Sequence, residues 1–190
     1  MHRSYITDKD FNGTDFSNMG LERGDYENCF FENCSFLNSD LTEISFTECE
    51  FKNCDLTMAK IIKTAFRDVK FISCKLLGLH FDNCNEFLLS FDFEDCNLDF
   101  ASFYKLRLKN INFENCSLQE VDFTESDLSN SFFDNCDLSR AIFDSTILEK
   151  ADFRSSLNFS IDPDRNKIRK AKFSNLGLSG LLDKYDIVIE

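Results

Sequence analysis

The sequence predicts an all-β solenoid, a coil with corners, and three observations carry that prediction. First, every fifth residue from 113 to 153 is Phe or Leu: Phe113, Leu118, Phe123, Leu128, Phe133, Leu138, Phe143, Leu148 and Phe153. Strands alternate in twos and helices in about 3.6s, so a repeat of five is one flat side of a coil that turns a corner after each unit. Second, the same spacing runs in one phase from Phe11 to Phe81 and, shifted by two, from Phe93 to Phe153. That gives 28 central positions, all apolar, in a chain that is 43% apolar. Third, Cys34, Cys54, Cys74, Cys96, Cys116 and Cys136 are 20 residues apart, except for one interval of 22 across the shift. Four units therefore make one turn.

Each unit has a second inward slot, two residues before the centre. It is mostly Cys, Ser, Ala, Val or Thr, small enough to share a narrow core with a ring. Cys29, Cys49 and Cys84 fall there too, so all nine cysteines share one slot. The pattern A/C-D/N-L/F-x-x, repeated over about residues 9–155, resembles the pentapeptide-repeat family. That resemblance implies a right-handed quadrilateral β-helix, here of about seven turns and roughly 34 Å long at about 4.8 Å per rung.

In a solenoid each turn packs only on its neighbours, so 190 residues read as one rod rather than a round core. Twenty-three Phe, no Trp and one Pro, Pro163, suit a thin interior of stacked rings, because proline cannot donate to the ladder between turns. No apolar run reaches the roughly 18 residues of a membrane span, and MHRSYITDKD lacks the apolar stretch of a signal peptide, so the chain reads as cytoplasmic. Cys29-x4-Cys34 and Cys49-x4-Cys54 imitate a metal-ligand spacing, but x4 is the repeat itself. Stacked side chains run parallel, which holds their β-carbons wider apart than the about 3.8 Å of a disulfide. Free, buried thiols and no metal are expected.

The net charge of −13 is unevenly spread: −9 over residues 8–50, +1 over 51–110 and −8 over 111–153. The middle belt carries Lys60, Lys63, Arg67, Lys70 and Lys75, then Lys105, Arg107 and Lys109. Such a field disfavours direct binding of nucleic acid and favours a partner with a basic groove.

Taken in order, residues 1–8 read as a cap on the N-terminal edge, with Ile6 in phase with Phe11 as the start of a partial turn. Residues 9–83 hold fifteen units. The acids just before their centres, Asp10, Asp15, Asp25, Asp40 and Asp55, suit bonding to the corner's backbone amides. The phase slips at 84–92. Taking Leu88 as a centre would put Glu86 in the inward slot, where an unpaired carboxylate is costly. The segment is therefore expected to bulge, lifting Glu86 and one or two of Phe87, Leu88 and Leu89 to the surface; a neutral insertion and a partner-contacting loop both fit. Units resume to residue 155, with Phe100, Tyr104 and Phe132 outward. Ala101 to Leu108 resembles the matching stretch of the microcin-immunity and albicidin-resistance members of the family.

Beyond Phe153 the pattern loosens through Pro163 and a basic stretch, and the unit Ala171-Lys172-Phe173 ends a repeat region spanning 1–173. Ser174 is placed to cap a short helix whose Leu178, Leu181, Leu182 and Tyr185 follow amphipathic spacing. With Ile187, Val188 and Ile189 as a short strand, residues 174–190 are expected to cap the rod and to form a two-fold homodimer.

The two histidines, His2 and His80, lie in a terminal tail and an outward slot. There is no glycine-rich phosphate loop and no nucleophile set beside a base, so neither an enzyme nor a cofactor is expected. Resemblance to the topoisomerase-protecting members of the family, the Qnr-like, microcin-immunity and albicidin-resistance proteins, implies a DNA-mimicking dimer. It would occupy the DNA-binding saddle of a type II topoisomerase, on the DNA gyrase A subunit, and protect the enzyme from a poison or toxin. The expected contacts are Glu120, Asp122, Glu125, Asp127, Asp134, Asp137 and Asp144, in the acidic segment nearest the C-terminal end. The basic belt at 60–75 stands against mimicry, and a scaffold or interaction protein with an unrelated partner is the competing reading.

Overall fold

The computed structural model describes residues 4–188, and over them the chain winds as a right-handed parallel β-solenoid with four sides per turn. Side 1 carries the centres Phe11, Phe31, Phe51, Phe71, Phe93, Phe113, Phe133, Phe153 and Phe173; sides 2, 3 and 4 follow from Phe16, Leu21 and Tyr26. On side 4, β1 (Ser4–Thr7), β3 (Gly24–Glu27), β5 (Ser45–Thr47) and β7 (Ala65–Arg67) form a four-stranded sheet. Side 1 is one nine-stranded sheet: β2 (Asp10–Asn12), β4 (Phe30–Glu32), β6 (Glu50–Lys52), β8 (Val69–Ile72), β9 (Phe91–Glu94), β10 (Asn112–Glu114), β11 (Phe132–Asp134), β12 (Asp152–Phe153) and β13 (Lys172–Phe173). Nine rungs enclose about eight turns, one more than the repeat count suggests. The N-terminal end begins its partial turn at Ile6, with Ser4–Thr7 paired to β3 as a first rung. The C-terminal end winds further than expected, because the loosened stretch after Phe153 still pairs Leu157 with Asp137 and Lys167 with Ile147.

The corners explain why a unit of five can turn. Two residues after nearly every centre the backbone is left-handed, with φ between +50° and +63°, at positions such as Asn33, Asn53, Asn115 and Asn135. Left-handed backbone is steeply unfavourable for most side chains and least so for Gly, Asn and Asp, which accounts for the many Asn there. Where the corner closes on itself, as with Ile44 N donating to Leu41 O at 3.1 Å, it is a type II turn.

The small inward slot adds a side-chain donor to the carbonyls that precede the corners. Along side 1 the carbonyls of Phe11, Phe31, Phe51, Phe71, Phe93 and Phe113 receive the thiols of Cys34, Cys54, Cys74, Cys96, Cys116 and Cys136 from the next rung, at 3.3–3.7 Å. Ser156 does the same for Phe133 O with its hydroxyl, and Thr64 and Thr146 for Leu41 O and Phe123 O. The slot thus favours a small hydrogen-bond donor, which gives a second bond to a carbonyl with two lone pairs, as Thr64 does for Leu41 O beside Ile44 N. All nine thiols are free and buried. Burial pushes the Cys34 thiol up and lifts Cys49 to about 12.

Inside, the nine side-1 rings stack face to face, with centroids 4.5–5.4 Å apart and planes within 18° of parallel. Phe81, Phe103, Phe123 and Phe143 form a second column on side 3 and meet the first edge-on. The core is therefore a pair of aromatic columns locked in T-shaped contact, a geometry favoured by the ring quadrupole.

The phase slip is a bulge on side 4. Asn85 N donates to Thr64 O and Ser90 N to Phe66 O, while the four residues between arch outward, with Leu88 left-handed at φ +57°. Glu86, Phe87 and Leu88 are exposed and Leu89 folds back on the core. Phe91 fills the interior where a fourth centre is missing, 5.1 Å from Phe81.

The C-terminal segment differs from the amphipathic helix expected. Ser174 does cap, its hydroxyl accepting from Gly177 N at 3.1 Å, but the turns at Asn175–Leu181 and Asp183–Tyr185 are 3-10 helices. The cause is the close seat on the rod's end. Gly177 lies on the Phe159 ring, and a β-carbon at Gly180 would collide with the Phe159 carbonyl. Ile187 and Val188 are not in a strand, and Ile189 falls outside the described residues.

Candidate functional site

The seven acids expected to meet a partner lie on all four sides of the rod. Asp122 and Asp144 are on side 3, with Glu120 and Glu125 at its two corners; Asp127 is on side 4, Asp134 on side 1 and Asp137 on side 2. Most are already engaged. Glu120 pairs with Arg140 at 2.7 Å, Glu125 with Lys105 at 3.6 Å, Asp127 with Lys109 at 3.3 Å and Asp144 with Arg165 at 2.6 Å. Asp122 and Asp137 accept the amides of Thr124 and Ser139 at 2.8 and 3.1 Å, as Asp15, Asp40 and Asp55 do in earlier turns. These last are the backbone bonds expected of a turn aspartate. Burial pushes Asp127 up, yet the Ser129 hydroxyl and amide together with Lys109 outweigh it and leave the carboxyl below the usual range.

Side 1 holds a different arrangement. Glu94, Glu114 and Asp134 occupy one outward column in strict register on β9, β10 and β11. Asp92 and Asp95 flank its first rung, making five carboxylates over three rungs. None of the five makes an ion pair among the described residues; Asp92 accepts Asn112 N at 3.1 Å and Asp134 accepts the Ser155 hydroxyl at 2.5 Å. Two shallow depressions of 460 and 210 Å³ share Asn112 and Glu114 and run along this face, with exposed Phe132 on the wall of the larger. Glu94 and Glu114 escaped the sequence reading because charge was summed by segment. The successive spacing of 20 from Glu94 to Glu114 and from Glu114 to Asp134, the same interval that aligned the cysteines, was the signal.

Side 4 is the counterpart. The exposed Phe87 ring lies 5.9 Å from the Arg67 guanidinium, and Arg107 and Lys109 follow on the same side beyond the bulge. Further on, Lys150, Lys167, Arg169 and Lys170 are exposed. Charge is thus divided around the rod as well as along it. At the C-terminal end Leu181 and Leu182 are half-buried, Leu181 against the core, whereas Leu176, Leu178, Tyr185, Ile187 and Val188 face outward, Leu176 at 95% exposure. His80 is mostly exposed, 3.3 Å from Asp82. No helix among the described residues is long and apolar enough to cross a membrane.

Three comparisons bear on this architecture. A family model described as the pentapeptide repeat region matches residues 24–91 and 88–160. No curated protein matches the sequence. Among solved structures, a trypsin-treated QnrB1, described as a plasmid-mediated fluoroquinolone resistance protein, gives a TM-score of 0.64 at 19% identity, covering 98% of this chain and 100% of that one. Full-length QnrB1 gives 0.57 at 19% identity, with coverage of 97% and 100%. HetL, a pentapeptide repeat protein involved in heterocyst differentiation regulation in the cyanobacterium Nostoc sp. strain PCC 7120, gives 0.40 at 17% identity, with coverage of 88% and 86%. At 19% identity the likeness to QnrB1 is one of fold.

Proposed function

The chain belongs to the pentapeptide-repeat family, and on that premise we propose that it is a DNA-mimicking rod. It binds the basic DNA-binding saddle of a type II topoisomerase, the gyrase A subunit, as a homodimer and protects the enzyme from a poison. The observation that carries this reading is the unpaired acid column on side 1. Five carboxylates over three rungs amount to roughly one charge per 3 Å of axis, against about 1.7 Å for duplex DNA. The stacked rings beneath hold that spacing rigid, and opposed fields accelerate encounter. Likeness of fold to QnrB1, a fluoroquinolone resistance protein, supports a quinolone as the first poison to try, and the resemblance of Ala101 to Leu108 supports microcin- and albicidin-type poisons next. Outward Leu176, Leu178 and Val188 support dimerisation at the C-terminal end.

The test is binding of the purified chain to the gyrase A subunit, with supercoiling assayed in the presence of a quinolone. Binding that weakens steeply with salt, and is lost when Glu94, Glu114 and Asp134 are replaced by Gln, Gln and Asn, is the expected result. No binding by the wild type at low salt overturns the reading. One observation favours a second reading, an interaction protein with an unrelated partner: Phe87 and Leu88 are exposed as an apolar knob, with the Arg67 guanidinium 5.9 Å from the Phe87 ring, a surface that acidic mimicry does not use.

A further inference from the structure

The cysteine slot does more than fill space. Six thiols, from Cys34 to Cys136, stand in one column, one per rung, and each makes the same two contacts: the Phe carbonyl one rung back at 3.3–3.7 Å and a carbonyl of its own turn at 3.2–3.4 Å. Identical contacts mean identical side-chain directions, so successive sulfurs are offset by the rung spacing, about 4.8 Å. Cys29 and Cys49 form a second, two-membered column with the same carbonyl contacts. Cys84 stands alone, with Thr64 before it and Leu106 after it in its own column.

A linear sulfur–metal–sulfur unit spans twice a metal–thiolate bond of about 2.3 Å, or about 4.6 Å. That matches the rung. No group of three or more His, Cys, Asp or Glu converges on a metal site among the described residues, so the column cannot offer the tetrahedral set that Zn²⁺ prefers. It offers pairs, and soft thiolates select soft ions. We propose that the cysteine columns are binding sites for soft, two-coordinate d10 cations, with a divalent ion of the mercuric type the best match.

Charge decides among such ions. A mercuric ion and two thiols give a neutral bis-thiolate and two protons, with no change of oxidation state. A monovalent ion such as Cu(I) or Ag(I) would leave one negative charge in an apolar interior, where an uncompensated charge is costly. Each sulfur then serves one ion, so the long column fills at alternate gaps: Cys34–Cys54, Cys74–Cys96 and Cys116–Cys136. The short column adds Cys29–Cys49.

The test is equilibrium loading of the reduced, folded full chain with mercuric chloride, with ZnCl₂ as the contrasting probe. Four tightly held mercury ions per chain are expected, two protons released for each, a two-sulfur environment by X-ray absorption, and an unchanged circular-dichroism spectrum. Zinc should not be retained. C74S with C96S should lower the count from four to three, and C84S should leave it at four; serine keeps a donor for the same carbonyl, so both variants should fold. No uptake by the folded chain, three or four sulfurs per ion, uptake only with loss of the spectrum, or a count indifferent to C74S with C96S would each overturn the proposal.

Discussion

Replacing Glu114 by Gln should make the rod more stable while weakening its grip on a basic partner. Glu114 stands between Glu94 and Asp134 in register, with no cation paired to any of the three among the described residues. Adjacent like charges on paired strands cost about 0.2–1 kcal/mol each, and Glu114 has two such neighbours, so its neutralisation should add about 1 kcal/mol at low salt. The effect should be strongly screened. At about 4.8 Å separation, raising ionic strength from about 0.01 to 1 M shortens the Debye length from about 30 to 3 Å and reduces the repulsion about fourfold. Urea unfolding at both ionic strengths measures the first effect and binding to the gyrase A subunit the second. Glu120→Gln, which breaks the pair with Arg140, is the contrast and should not stabilise. If Glu114→Gln lowers stability, or its gain is equal at both ionic strengths, the column is not a store of unrelieved repulsion.

Three further outcomes follow from particular contacts. Cys96→Ala should cost about 0.5–1.5 kcal/mol by removing the thiol's bond to Phe71 O, while Cys96→Ser should stay close to wild type in the same urea titration. Leu176→Asp with Val188→Asp should give a folded monomer in light scattering, because both face outward, whereas Leu181→Asp should loosen the C-terminal cap and lower the melting temperature. The Arg154 side chain, with its backbone amide and Lys172, holds the Asp152 carboxyl below the usual range. Its contribution is present above the unfolded value of about 3.9 and is lost as pH falls through the folded one. Asp152→Asn should therefore flatten the loss of stability below about pH 4 and lower stability at neutral pH, both read by thermal melts.

Much of the rod was legible because its periods are exact integers. The five-residue phase assigned the 28 centres from Phe11 to Phe153, the 20-residue interval showed that four units make a turn, and an acid forced into the inward slot at Glu86 announced the bulge. What was missed was missed for physical reasons. Cysteine was read only as small and buried, since nothing local says that the Phe31 carbonyl lies within reach of the Cys54 thiol from the next turn. The recurring Asn two residues after the centres, at Asn33, Asn53, Asn115 and Asn135, did carry the left-handed corner. The C-terminal turns were misread because amphipathic spacing ignores how closely Gly177 and Gly180 approach Phe159. The candidate surface was misjudged because net charge along a segment says nothing about direction in a coil that turns through a full circle every 20 residues.

The interrupted side 4 has a mechanical consequence. Opposite it, side 2 keeps an unbroken series of bridges from Asp15 through Ser35, Asp55, Lys75, Asn97, Ser117 and Asp137 to Leu157. At the level of the bulge, side 4 is spanned by the bonds from Asn85 to Thr64 and from Ser90 to Phe66, with four residues arched away between them. A beam with one intact flange and one notched flange has a preferred plane of flexure. Load applied at the two ends opens or closes the notch while the opposite wall keeps its length, so the rod yields toward and away from side 4 and resists bending across sides 1 and 3. The side-1 carboxylates, on the wall between the intact flange and the notch, therefore change their spacing by only about half as much as the notch opens when the rod follows a curved surface.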